Sequence, residues 1–128
     1  MECVTLYHYT SRASLSSILR YGAILSSSQH GHPTGWVGGR DVRQGAVFLT
    51  GLDPGTYSRQ VIAYNNFGCG WEGALRKTEA WVAVTLPNDH RLTGEFRPDK
   101  VLGGQRHVAA WLGGPIWLEG HEHWCGWF

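Results

Sequence analysis

Polar and apolar positions alternate from Val4 to Tyr9. Val4, Leu6 and His8 share one face of a strand, and Thr5, Tyr7 and Tyr9 share the other. The period then lengthens. Leu15, Ile18 and Leu19 form an apolar stripe at helical spacing, Ser11 stands where an N-cap belongs, and Gly22 sits at the C-cap position. A strand and a helix therefore meet at a tight turn directly after His8. From Ser26 to Gly45 no periodicity survives, and Trp36, Val37 and Val42 are the sizeable apolar groups in a stretch of Ser, Gly and His. This reads as a long loop, a kind that is usually functional or disordered. Ala46 to Thr50 is a short buried strand. Asp53-Pro54 supplies an N-cap and a first-turn proline for a helix through Tyr57, Val61 and Tyr64, ending at Asn65-Asn66-Phe67-Gly68, with Gly55 weakening its first turn. Glu79 to Leu86 is the clearest strand and Pro87 stops it. Val108 to Leu112 reads as a strand or a helical turn. Pro115 to Glu119 reads as a last strand between Gly113-Gly114 and Gly120.

This order describes one α+β domain over residues 1–128, with its helices clustered early and no repeat, linker or low-complexity tract. Eighteen glycines allow sharp loops, and seven tryptophans supply large flat groups for a core or a cleft. A net charge of +1 removes any global attraction to nucleic acid, so such a partner would need a local basic patch. Cys3, Cys69 and Cys125 have no paired spacing, which argues against a disulfide framework or a zinc ribbon and for reduced thiols. No run approaches the roughly 18 apolar residues of a membrane span, so no membrane partner is expected. The first residues lack the regions of a signal peptide. The expected location is cytoplasmic, or a target cell into which the chain is delivered as an effector domain.

Three features bear on chemistry. His8, at the end of a rigid strand, holds a group that both donates and accepts hydrogen bonds at a fixed point; the alternative is a hydrogen-bonded core histidine. His121-Glu122-His123-Trp124-Cys125 has metal-ligand residue types but no partner pair elsewhere, so no metal is expected. That tail, with Trp117, Trp127 and Phe128, instead reads as a surface packed against the domain or a partner. Gly35-Trp36-Val37-Gly38-Gly39 is too loose for a phosphate-binding motif.

Leu6-Tyr7-His8-Tyr9-Thr10, the helix Leu15…Ile18-Leu19…Gly22, and Gly45…Phe48-Leu49-Thr50…Leu52-Asp53-Pro54 together resemble the toxin-type ADP-ribosyltransferases with a His-Tyr-Asp motif. More distantly, they are similar to the diphtheria-toxin and poly(ADP-ribose) polymerase class. The resemblance covers roughly the first 60 residues and rests on order and spacing. It implies a split β-sheet core with a few short helices and soluble NAD as the cofactor. The implied activity is mono-ADP-ribosyl transfer, in which the nicotinamide–ribose bond is cleaved and ADP-ribose passes to a protein or nucleic-acid acceptor. Alternatives on the same fold are an NAD glycohydrolase and a non-catalytic domain binding ADP-ribose, a nucleotide or a partner. A companion immunity or inhibitor protein is a further expectation of the resemblance.

Residue by residue, the family's histidine falls on His8, as ligand of the adenine-side ribose, with backbone groups of Tyr9 and Thr10 toward the nicotinamide amide. The second-strand tyrosine falls on Phe48, which keeps the stacking ring and loses the hydroxyl. Tyr57 and Tyr64 are alternative stacking partners. An oxocarbenium-like ribose calls for a carboxylate. Glu119 and Asp53 share first rank for it, with Glu79 third and Glu122 in the polar tail; Asp53 is equally an N-cap. Arg12, Arg40 and Arg43 are candidates for the pyrophosphate, since guanidinium suits bidentate phosphate contact.

Overall fold

A computed structural model describes residues 2–26, 35–43, 45–68, 72–99 and 104–128. The alternation at the start of the chain forms β1 (Cys3–Thr10). Ser11 then caps α1 (Arg12–Tyr21), its hydroxyl accepting from the Ser14 N–H at 3.1 Å, and Gly22 ends the helix at φ 86° with its N–H on the Ile18 carbonyl. These are the caps expected from the sequence. The chain continues through β2 (Ala23–Ile24), β3 (Trp36–Val37), β4 (Arg40–Asp41), β5 (Val47–Leu49), α2 (Arg59–Phe67) and α3 (Glu72–Arg76). It closes with β6 (Ala80–Pro87), β7 (Leu92–Asp99), β8 (Gly104–Trp111), β9 (Ile116–Trp117), a 3-10 turn at Leu118–Gly120 and β10 (His123–Trp127).

Two antiparallel three-stranded sheets make the α+β core, one in the order β1-β6-β10 and the other β5-β8-β7. Leu6, Val82, Val84 and Leu86 of the first sheet meet Val47, Leu49, Ala109 and Trp111 of the second, and Leu15, Ile24, Ile116 and Leu118 complete the cluster. Each buried aliphatic or aromatic side chain of this kind contributes roughly 1.5–3 kcal/mol against the entropy of ordering the chain. On its outer face the second sheet carries the β3–β4 hairpin, whose fully buried Val37 joins Val42 and Ala46 against Val108 and Ala110. Part of the expected Ser26–Gly45 loop is thus built structure; residues 27–34 and 44 lie outside the described residues, as does Cys69.

Several expectations are corrected. The Asp53 carboxylate accepts from the N–H groups of Gly55 and Thr56 at 3.1 and 2.9 Å, which closes a turn rather than starting a helix. Ser58 supplies the cap instead, accepting from the Val61 N–H, so Tyr57 precedes α2. Glu119 does not end the last strand: β9 stops at Trp117, and Glu119 lies in the 3-10 turn. The tail packs against the domain, one of the two outcomes expected for it, and does so as β10 on the edge of the first sheet. Of the two readings for Val108 to Leu112, the strand is found, within β8. β7 has no counterpart in the hydrophobic pattern because Gly94 and Pro98 interrupt it, which an edge strand tolerates. No helix among the described residues is long and apolar enough to cross a membrane.

Candidate functional site

Among the described residues the two sheets are joined at one rung. Tyr7 and Thr50 exchange both backbone hydrogen bonds at 2.9 Å, and there the pairing of β1 with β5 stops. In a continued antiparallel ladder the next hydrogen-bonded pair would be Tyr9 with Phe48. Instead β1 follows β6 and β5 follows β8, so the strands diverge. The His8 side chain enters the gap and places Nδ1 2.9 Å from the Phe48 carbonyl. A carbonyl only accepts, so Nδ1 carries the hydrogen and Nε2 presents a lone pair. Among the described residues nothing bonds Nε2, and His8 lines a cavity of about 830 Å³. The alternative of a hydrogen-bonded core histidine accounts for Nδ1 and leaves Nε2 open.

Backbone groups alternate sides along a strand. Tyr7 faces β5, so Tyr9 also directs its N–H and C=O into the gap, as Phe48 directs its N–H from the other side. Thr10 differs from the expectation. Its backbone faces β6 opposite Ala80, and it reaches the cavity from the face it shares with His8. The Tyr9 ring is turned away and buried, its hydroxyl donating to the Leu52 carbonyl at 2.6 Å amid Leu52 and Ile62. Burial, with the negative charge of Asp53 behind it, raises the Tyr9 pKa and keeps the phenol neutral. This anchor fixes the strand from behind while its front edge stays open.

Desolvation pulls the His8 pKa below the ordinary 6.5, opposed by the Phe48 carbonyl. His107 is lowered for the same first reason, and its Nδ1 accepts the Gly51 N–H at 2.9 Å. The folded chain thus keeps both rings neutral at pH values where the unfolded chain already protonates them. Stability is complete above 6.5 and declines as pH falls below it. Calorimetric melting between pH about 7.5 and about 5 is expected to show that decline, and His8→Asn is expected to flatten it in part.

The other candidate residues divide sharply. Phe48 lines the cavity from β5, its ring packed partly on Val108 and Ala110. Tyr57 is exposed and Tyr64 half-buried, and neither lines the cavity; Phe67, at the end of α2, does. Asp53 spends its carboxylate on its own turn, on the Tyr7 and Tyr9 side of β1, away from the His8 face. Glu119 borders a separate hollow with Tyr21 and Trp117. Glu79 meets the first N–H of α1 at 3.4 Å, and Glu122 is exposed. Among the described residues no Asp or Glu lines the His8 cavity.

The expected arginines also lie elsewhere. Arg43 is paired with Asp41 at 2.6 Å and sits over Trp36, Arg40 donates to the His90 carbonyl, and Arg12 lies over Trp127. Among the described residues the cavity's lysine and arginine are Lys77 after α3, 5.6 Å from the Phe67 ring centre, and Arg20 on α1. Ser14 and Ser17 line the same helix wall as Arg20, at a spacing that was visible in the sequence as the polar side of the α1 stripe. Among the described residues no three His, Cys, Asp or Glu side chains converge as metal ligands. The chain matches no family model, no curated protein and no solved structure.

Proposed function

We propose that the chain binds NAD in the His8 cavity and transfers its ADP-ribose to a macromolecular acceptor. The observation that carries the reading is His8, held neutral with Nδ1 anchored on Phe48 and Nε2 open to a cavity of dinucleotide size. Nε2 accepts from a ribose hydroxyl. The Tyr9 N–H and C=O, left over where the ladder lapses, match the acceptor and donor of a carboxamide. Phe48 offers its ring to the nicotinamide, and Arg20 and Lys77 are the cations available to a pyrophosphate. In the transfer the nicotinamide–ribose bond breaks, nicotinamide leaves with the bonding pair, the acceptor nucleophile bonds C1′, and its proton passes to solvent.

A second reading has its own support. With no carboxylate lining the cavity among the described residues and no hydroxyl on Phe48, a domain that binds ADP-ribose or NAD without turnover fits the same walls. Incubation with NAD labelled on its adenylate half separates the readings. Nicotinamide release with label on protein or nucleic acid is the expected result. Label solely in free ADP-ribose indicates a glycohydrolase. His8-dependent binding without release indicates the non-catalytic domain.

A further inference from the structure

The first sheet ends on β10, whose inner edge pairs with β6 and whose outer edge is met by no strand among the described residues. Natural edge strands are usually guarded by charge, proline or a bulge. His123-Trp124-Cys125-Gly126-Trp127 has no charged residue other than histidine and no proline, and its register with β6 runs without a bulge. It is also strongly apolar at the surface: Trp124 is 44 % and Trp127 59 % exposed.

The direction of its backbone groups follows from two bonds. The Thr85 N–H reaches the Glu122 carbonyl, and the Phe128 N–H reaches the Glu79 carbonyl. Alternation then assigns the inward groups to Trp124, opposite Ala83, and Gly126, opposite Trp81. His123, Cys125 and Trp127 direct their N–H and C=O groups outward. These positions are symmetric about Cys125.

We infer that β10 pairs antiparallel with β10 of a second copy of this chain, about a two-fold axis at Cys125. Under that axis every outward group meets an outward group: Cys125 faces Cys125 of the other copy, and His123 faces its Trp127. No outward donor or acceptor is left over, so the edge is complementary to itself. On the face shared with Trp81 and Phe128, the rotation sets Trp124 opposite Gly126 of the other copy, where the facing residue has no side chain. Trp81 already lies over Gly126 on that face, since a Cβ there would be 2.5 Å from its ring. The pairing therefore extends an aromatic row that runs from Tyr9 through Phe128 to Trp81. It makes one continuous sheet across the dimer and is independent of the NAD reading.

The test begins with sedimentation at about 100 μM, where a dimer with Kd below that value dominates. The wild-type chain is expected at twice its monomer mass. Cys125→Pro removes an outward N–H and leaves the inward bonds of Trp124 and Gly126, which an edge strand accommodates. It is expected to be monomeric with its melting temperature kept. Trp124→Lys is the second variant, expected to weaken association by roughly tenfold or more. Residue-resolved hydrogen exchange gives the sharper readout. Amides of His123, Cys125 and Trp127 are expected to gain protection with concentration, while those of Trp124 and Gly126 stay protected throughout. In a chain whose sole cysteine is Cys125, mild oxidation is expected to cross-link two copies, because directly paired residues lie about 5.5 Å apart at Cα. A monomeric wild-type chain at that concentration overturns the proposal. So does a dimer unchanged in both variants, or protection of the outward amides that requires a different protein.

Discussion

His8→Asn is expected to lower NAD-dependent nicotinamide release by about 100-fold or more, with a melting temperature within a few degrees of wild type. The variant is chosen for geometry. The asparagine amide nitrogen falls near the position of Nδ1 and can keep the donor to the Phe48 carbonyl, whereas nothing replaces Nε2. His8→Ala removes both functions. It strands the carbonyl in a partly buried gap at a cost of about 1–2 kcal/mol. His8→Gln reaches the Nε2 position with a carboxamide and leaves the Phe48 bond unmade. If His8 merely braces the two strands, Asn is the mildest substitution in every assay. If its outer nitrogen holds a ribose, Asn is mild in melting and severe in turnover and NAD binding. Calorimetry beside a nicotinamide-release assay on the three variants reads the difference. Equal activity of Asn and wild type would remove His8 from the site.

The parts of this site that sequence reveals are those fixed by neighbours in the chain. β1, α1 and their caps rest on Ser11, the Leu15–Leu19 stripe and Gly22, whose effects all act within one turn of helix. His8 stands out because the pattern puts it at the end of a rigid strand, inside Tyr7-His8-Tyr9-Thr10. The gap it enters was not legible, because it depends on a lapse in pairing between residues as distant as Tyr7 and Thr50. Asp53 illustrates a different limit. Asp before Pro-Gly satisfies the local rule for a helix cap and the local rule for a side-chain-closed turn equally well, and Ser58 decided between them. Arg43 is kept from the cavity wall for a similarly local reason: Asp41 stands two residues before it and takes its guanidinium. Arg20 and Lys77 reach the cavity from α1 and from the chain after α3, a convergence no spacing encodes.

Asn65→Ala is expected to destabilise the fold by about 3 kcal/mol, which for a domain of this size lowers the melting temperature by about 10 °C. Asn65 is fully buried at 1 % exposure in the last turn of α2. Its Oδ1 accepts the His107 N–H at 2.7 Å and its Nδ2 donates to the His107 carbonyl at 3.0 Å. The pairing of β5 with β8 ends at Leu49 and Ala109, so this side chain takes the place of a strand for the β8 residue just beyond. Arg106 adds a bond from its Nε to the Asn65 carbonyl. The Thr50 hydroxyl shares the load, donating to the His107 carbonyl at 2.8 Å and lying 3.3 Å from Nδ2. Thr50 also makes the rung that joins the two sheets, and Asn66 and Phe67, next after Asn65, line the cavity. Loss of Asn65 is therefore expected to weaken NAD binding as well, through displaced walls rather than a lost contact. Denaturant melts of Asn65→Ala, Thr50→Val and the double variant test the arrangement. Because both side chains serve one carbonyl, their effects should depart from additivity by roughly 1 kcal/mol; additivity within about 0.3 kcal/mol would mean that they act separately.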